Sequence, residues 1–144
     1  MKKIIIMLAI TISSLAAFAG EENVNTKVLN AFSHEFAGAK DVKWTAYGTY
    51  YKASFVFNGQ YVYAFYELTG ELRAVTRNIS SLDLPVTLQT SLKKYTDSWI
   101  SDLFEISNYD GTNYYMTMEN AGSKIVLKSS SAGNWNVFKK TIKS

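Results

Sequence analysis

The chain repeats its own pattern at a spacing of about sixty residues, and this constrains its fold more than any other feature. Tyr51-x-Ala53-x-Phe55 returns as Tyr114-x-Met116-x-Met118, Val62-x-Ala64 as Ile125-x-Leu127, Gly70-x-Leu72-x-Ala74 as Gly133-x-Trp135-x-Val137, and Ile79 as Ile142, all at an offset of 63. Upstream the offset is 62 for Val42-x-Trp44 against Phe104-x-Ile106, and 60 for Val28 and Phe32 against Leu88 and Leu92. Such drift is what unequal loops produce between two copies of one supersecondary unit.

Each copy reads as one helix followed by strands. In the first, Val28, Phe32 and Phe36 recur every fourth residue, with Leu29 filling the stripe, so a helix is expected over Asn25 to Phe36, closed by Gly38. Alternating segments rich in aromatic and β-branched residues follow at Val42–Tyr47, Tyr51–Phe57, Tyr61–Tyr66 and Leu72–Arg77. In the second, Leu84-Pro85 precedes Leu88, Leu92, Tyr95 and Trp99 on one helical face, and strands are expected at Leu103–Asn108, Tyr114–Glu119, Lys124–Lys128 and Asn134–Phe138. The expected fold is α+β: two tandem helix-plus-four-strand antiparallel units, about 24–80 and 84–144, forming one curved sheet with the helices on one face.

Asn58-Gly59 is a two-residue hairpin signal, because both central positions of a type I′ turn need positive φ. Counting outward from it pairs Phe55 with Val62, Ala53 with Ala64 and Tyr51 with Tyr66 on the repeated, core-facing side. Lys52, Ser54, Val56, Tyr61, Tyr63 and Phe65 must then lie on the other side. The corresponding face of the second unit, Tyr115, Thr117, Glu119, Lys124, Val126 and Lys128, reads as ordinary solvated strand surface. Lys52, Val56, Tyr61, Tyr63, Phe65 and Tyr115 are the candidate protein-binding face.

Residues 1–19 read as a secretory signal peptide: Lys2 and Lys3, a mainly apolar stretch from Ile4 to Leu15, and Ala17-Phe18-Ala19 as a small-x-small cleavage site. A spanning helix needs about twenty apolar residues, and this run meets Ser13-Ser14 first. Cleavage leaves 125 residues with 13 Lys+Arg against 12 Asp+Glu, no basic block and no cysteine. That argues against nucleic-acid binding and against a disulfide framework. The expectation is a single periplasmic or secreted domain, with no membrane span after processing.

The order of these elements resembles the exported PepSY-like proteins that are similar to β-lactamase inhibitor protein. The residues that carry it are the Ala31-Phe32 helix, Asp41-Val42-Lys43-Trp44, Tyr51-x-Ala53-x-Phe55, the hairpin ending at Gly70, and Leu84-Pro85 before a second helix. The resemblance implies a curved antiparallel sheet whose open face binds a protein or peptide of the cell envelope, in the manner of an inhibitor or modulator. None of the inhibitor's contact residues matches a position here, and that inhibitor is disulfide-bonded whereas this chain has no cysteine.

No residue pattern points to catalysis. His34 is the only histidine, set beside the apolar helix stripe, and no serine sits in a Gly-x-Ser-x-Gly context. One histidine and no cysteine disfavour a zinc site, and Asp110-Gly111 is a turn rather than a calcium loop. Trp44, Trp99 and Trp135 all fall on expected core stripes, so packing is preferred to sugar stacking. The expectations are therefore no catalytic, metal or cofactor residue. A small-ligand or glycan-binding periplasmic module and a structural homodimer are the alternatives to protein binding.

Overall fold

The computed structural model describes residues 17–19, 23–130 and 133–144. The basic start and apolar stretch of the expected leader, and Glu21-Glu22, lie outside these residues. The architecture is mainly β. Strands β2 (Lys40–Tyr47), β3 (Tyr50–Phe57), β4 (Gln60–Glu67), β5 (Leu72–Asn78), β6 (Trp99–Asn108), β7 (Gly111–Glu119), β8 (Ser123–Ser130) and β9 (Asn136–Ile142) form an open antiparallel meander in chain order. The three-residue strand β1 (Ala17–Ala19), at the expected cleavage site, adds to the edge at β2. Helix α1 (Thr26–Glu35) precedes β2, and α2 (Val86–Ser91) precedes β6.

Both helices cover one face. The register Val62↔Arg77↔Glu105↔Tyr114 runs across β4 to β7 and places the core residues of both halves on the same side. In the first half Val28 and Phe32 of α1 bury against Trp44, Ala53, Phe55, Val62, Ala64 and Tyr66. In the second, Leu84 and Leu88 bury against Leu103, Tyr114, Met116, Met118 and Leu127. The seam between halves is fastened on that face by Arg77, which pairs through Nε with Glu105 and donates through Nη1 to Gln60.

Local chemistry explains the elements. The Asn25 side chain accepts from the Lys27 N–H at 2.9 Å and starts α1. Asn58 and Gly59 take φ of 51° and 78°, and the hairpin register is the one counted from the sequence. The Asn25 amide donates to Leu68 O at 3.0 Å, drawing the β4–β5 turn onto the start of α1. There Gly70 sits at φ +92° with Lys27 O only 2.9 Å from where a Cβ would be, so no side chain fits. The Tyr66 hydroxyl, at the end of a fully buried side chain, donates to Glu35 Oε2 at 2.5 Å and ties β4 to α1. Burial, reinforced by that bond, pushes the phenol far above its usual range.

Three expectations need correction. The second helix is not a four-turn stripe ending at Trp99. It stops at Ser91, followed by one 3-10 turn over Leu92–Lys94, and Trp99 opens β6, 55% exposed with Lys143 Nζ 5.1 Å from its ring. Thr90 and Ser91 hydroxyls bond back to Thr87 O at 2.9 Å, and threonine and serine favour short, frayed helices. The match of Val42-x-Trp44 to Phe104-x-Ile106 is out of register: Trp44 faces the helices, whereas Phe104 and Ile106 pack on the opposite side and Leu103 holds the core position. The face of the second half away from the helices is not solvated surface, since Tyr115, Thr117 and Val126 are all buried.

Phe55→Ala should lower the unfolding free energy by about 3–5 kcal/mol, while Tyr61→Ala on the opposite face should change it by less than about 0.5 kcal/mol. Urea denaturation of both variants measures the contrast, and equal midpoints would reverse the assignment of the two faces.

Candidate functional site

The face away from the helices carries the candidate residues, and the pairing shows how they meet. Lys52 stands opposite Phe65, Ser54 opposite Tyr63 and Val56 opposite Tyr61 across β3–β4. The row continues through Phe65↔Ala74 and Tyr63↔Thr76 to β5, then Thr76↔Ile106 and Asn78↔Phe104 to β6, and Phe104↔Tyr115 to β7. Tyr47 and Tyr50 join its β2–β3 end, stacked at 4.6 Å, with Tyr50 6.2 Å from Phe65. Burial raises the Tyr50 phenol to about 12, with Tyr47 adding to the effect.

Exposure divides this face into two zones. Over β3 and β4, Tyr61 is 75% exposed, and Lys52, Val56, Tyr63 and Phe65 are half-buried. The Lys52 ammonium lies 5.2 Å from the centre of the Tyr63 ring, a cation–π arrangement, and desolvation lowers its pKa. Over β6 to β8 the face closes on itself. Tyr115 is 1% exposed, stacked at 5.3 Å on Phe104 and capped edge-on by Phe138 at 5.6 Å, with Lys128 Nζ 5.6 Å above its ring. Tyr115 was expected among the partner-contacting residues. Buried to that degree, its ring has no surface to offer, and this is a correction.

The cause is a bulge. Val126 pairs with Lys139 and Leu127 with Val137, so Phe138 is the extra residue on β9, and its ring reaches over Tyr115. The Tyr115 hydroxyl is buried with no hydrogen-bond partner, and burial raises its pKa to about 12. Beyond it an open cleft of about 300 Å³ is lined by Asn113, Lys128, Ser130, Asn136 and Phe138.

Sequence reasoning missed Tyr47, Tyr50, Phe104 and Phe138 as members of this face. Asn108-Tyr109-Asp110-Gly111 is a two-residue hairpin, with the Asn108 side chain accepting from Asp110 N–H at 2.9 Å, and counting outward from it pairs Phe104 with Tyr115. That signal was available. His34 is exposed on α1. Among the described residues no group of three or more histidine or acidic side chains stands together in a way that would hold a metal ion, and no helix is long and apolar enough to cross a membrane.

Comparison with known proteins identifies the architecture. A BLIP-like protein from Bacteroides fragilis superposes with a TM-score of 0.70 at 18% identity, covering 83% of this chain and 86% of the other. The fold is BLIP-like. A DUF2874-family protein from Bacteroides ovatus matches with a TM-score of 0.73 at 16% identity, over 83% of this chain and 87% of its own. A Bacteroides eggerthii protein described provisionally as periplasmic matches at 0.73 and 14%, over 83% and 88%. No protein-family model matches the chain. No curated protein matches it in sequence. At these identities the likeness concerns the fold.

Because the Tyr115 hydroxyl is buried without a partner, Tyr115→Phe should keep or raise stability, by up to about 1 kcal/mol. Chemical denaturation of wild type and variant checks this, and a loss above about 1 kcal/mol would reveal a bond to that hydroxyl.

Proposed function

We propose that this chain is an exported, non-enzymatic binding protein, processed after Ala19, that engages an acidic protein or peptide surface of the cell envelope through the β3–β4 zone of its open face. The observation that carries the reading is the mismatch of charge on that face. Lys43, Lys52, Lys128 and Lys139 lie on it and form no ion pair among the described residues. Its acids are engaged: Glu67 pairs with Arg73, Glu119 with Lys143 at 3.3 Å, and Asp102 accepts from the Asn78 amide at 2.8 Å. Free cations between rigid aromatic rings suit a partner that brings carboxylates around an apolar anchor.

The BLIP-like name of the Bacteroides fragilis protein and the periplasmic description of the Bacteroides eggerthii one support a binding role outside the cytoplasm. We further propose that the two halves, about 24–80 and 84–144, are copies of one PepSY-like unit. The order of a helix and four strands, taken twice, supports that descent.

Processing is checked by the intact mass of the exported protein, expected to begin at Gly20 or within a residue or two of it. The face is tested by capturing the partner with the tagged chain and titrating it against wild type and a Tyr61→Ala/Tyr63→Ala variant. The variant should lose at least about 2 kcal/mol of affinity while its thermal unfolding changes little. Equal affinity for the folded variant would remove the open-face reading. A change from dimer to monomer would assign the face to a second copy.

A further inference from the structure

The two outer edges of the sheet are protected differently. Strand β9 is exposed along its whole length but carries Lys139 and Lys140, with Lys143 just beyond it, and charged side chains are a common guard against unwanted strand pairing. On β2 the guard covers only the first half. There Lys40 and Lys43 flank a bulge that includes Asp41 at φ 54°. The second half, Trp44-Thr45-Ala46-Tyr47, has no charge, no proline and no bulge. On this half β1 sits antiparallel, Ala17 opposite Ala46, Phe18 opposite Thr45 and Ala19 opposite Trp44.

The inference rests on the processing after Ala19 proposed above, because that cleavage removes the strand that, among the described residues, covers this edge. We propose that the Trp44–Ala46 edge of β2 is an acceptor for an extended peptide, added antiparallel in the register of residues 17–19 and carrying a small–aromatic–small sequence. The backbone supplies the attraction, since the outward N–H and C=O groups that β1 satisfies return to water when it leaves and can pair with any extended chain. Side-chain positions supply the selectivity. Opposite Trp44 and Ala46 the added residues fall on the helix-covered face, where Trp44 packs 5.2 Å from Phe32, so small residues fit there. Opposite Thr45 the added residue falls on the open face, beside the position of Lys52. This acceptor is separate from the Tyr61–Tyr63 surface and is occupied through main-chain pairing rather than charge.

The test uses the chain as recovered after export, its first residue read by intact mass, titrated with the peptide Leu-Ala-Ala-Phe-Ala-Gly-Glu, which reproduces residues 15–21, and with the same peptide carrying Ala19→Pro, at the position whose N–H faces the Trp44 main chain. The expected result is a chain beginning at Gly20 that binds the first peptide saturably. Amide shifts and slowed hydrogen exchange should centre on Trp44–Ala46, and the proline peptide should bind at least about 10-fold more weakly, because proline lacks a donor. A chain beginning at Gly20 that binds neither peptide, binds both equally, or responds elsewhere overturns the acceptor while leaving the processing intact. Dimerisation that protects Trp44–Ala46 without peptide assigns the edge to a second copy and also overturns it. Recovery of chain that still contains Ala17–Ala19 overturns the processing and the acceptor together.

Discussion

The ring of Phe32 holds the first half of the molecule to its sheet. It lies 5.2 Å from Trp44, 5.0 Å from Phe55 and 6.3 Å from Tyr66, edge-on to each, and thereby touches β2, β3 and β4 from one position on α1. Edge-to-face pairs add about 0.5–1.5 kcal/mol each beyond the area they bury. A ring contacting three strands also fixes their register, because slipping any strand by one residue would turn its partner to the other face. The second half has no equivalent aromatic. Its helix is shorter, and the work passes to Leu88, buried with Met116 and Leu127, and to Trp135, whose indole N–H donates to Leu88 O at 3.3 Å. That bond satisfies one of the carbonyls a short helix leaves unpaired at its end.

Because the helices settle one face in both halves, the candidate protein-binding residues fall on the other, and the two halves use it differently. Over β6 to β8 the aromatic residues turn inward and become a second core of Ala74, Ile106, Tyr115 and Val126 with no helix above it. Over β3 and β4 they stay accessible. The difference is one residue of backbone: the bulge at Phe138 on β9 brings a ring across Tyr115, whereas nothing equivalent crosses Tyr63. A single face thus joins a rigid, self-packed half to an open half, which is the condition a preformed binding surface needs to keep its shape without a partner.

The first half was legible in the sequence nearly to the residue, and the physical reasons are local. Helix α1 is bounded by an asparagine cap and its stripe matches a 3.6-residue period, while the Asn58-Gly59 turn determines the pairing on both sides of it. The second half was legible in order but not in detail. Trp99 sits at helical spacing from Leu92 and Tyr95, yet the threonine- and serine-rich segment cannot sustain a helix that far, and β6 captures the tryptophan through pairing with Glu119. The burial of Tyr115 depends on Phe104 and Phe138, one reached through a hairpin count and the other through a bulge that no alternation pattern signals. The strand formed by Ala17–Ala19 was hidden for another reason, since its residues already satisfied the pattern of a cleavage site.

The separation of charge from packing on the open face follows from the same geometry. A lysine stem lying along a ring buries its methylenes and keeps its ammonium at the surface, so Lys52 over Tyr63 and Lys128 over Tyr115 shield aromatic area without neutralising charge. Pairing them instead with neighbouring carboxylates would have left a face of near-zero potential and long-lived internal ion pairs to break on binding. Here the face's own acids are held elsewhere: by Arg73 and Lys143, which touch neither lysine, and by the Asn78 amide. The unpaired lysines therefore leave the face with an excess of positive charge, and the acidic partner proposed above would exchange the weak Lys52–Tyr63 cation–π contact for an ion pair, while Tyr115 stays covered by Phe138.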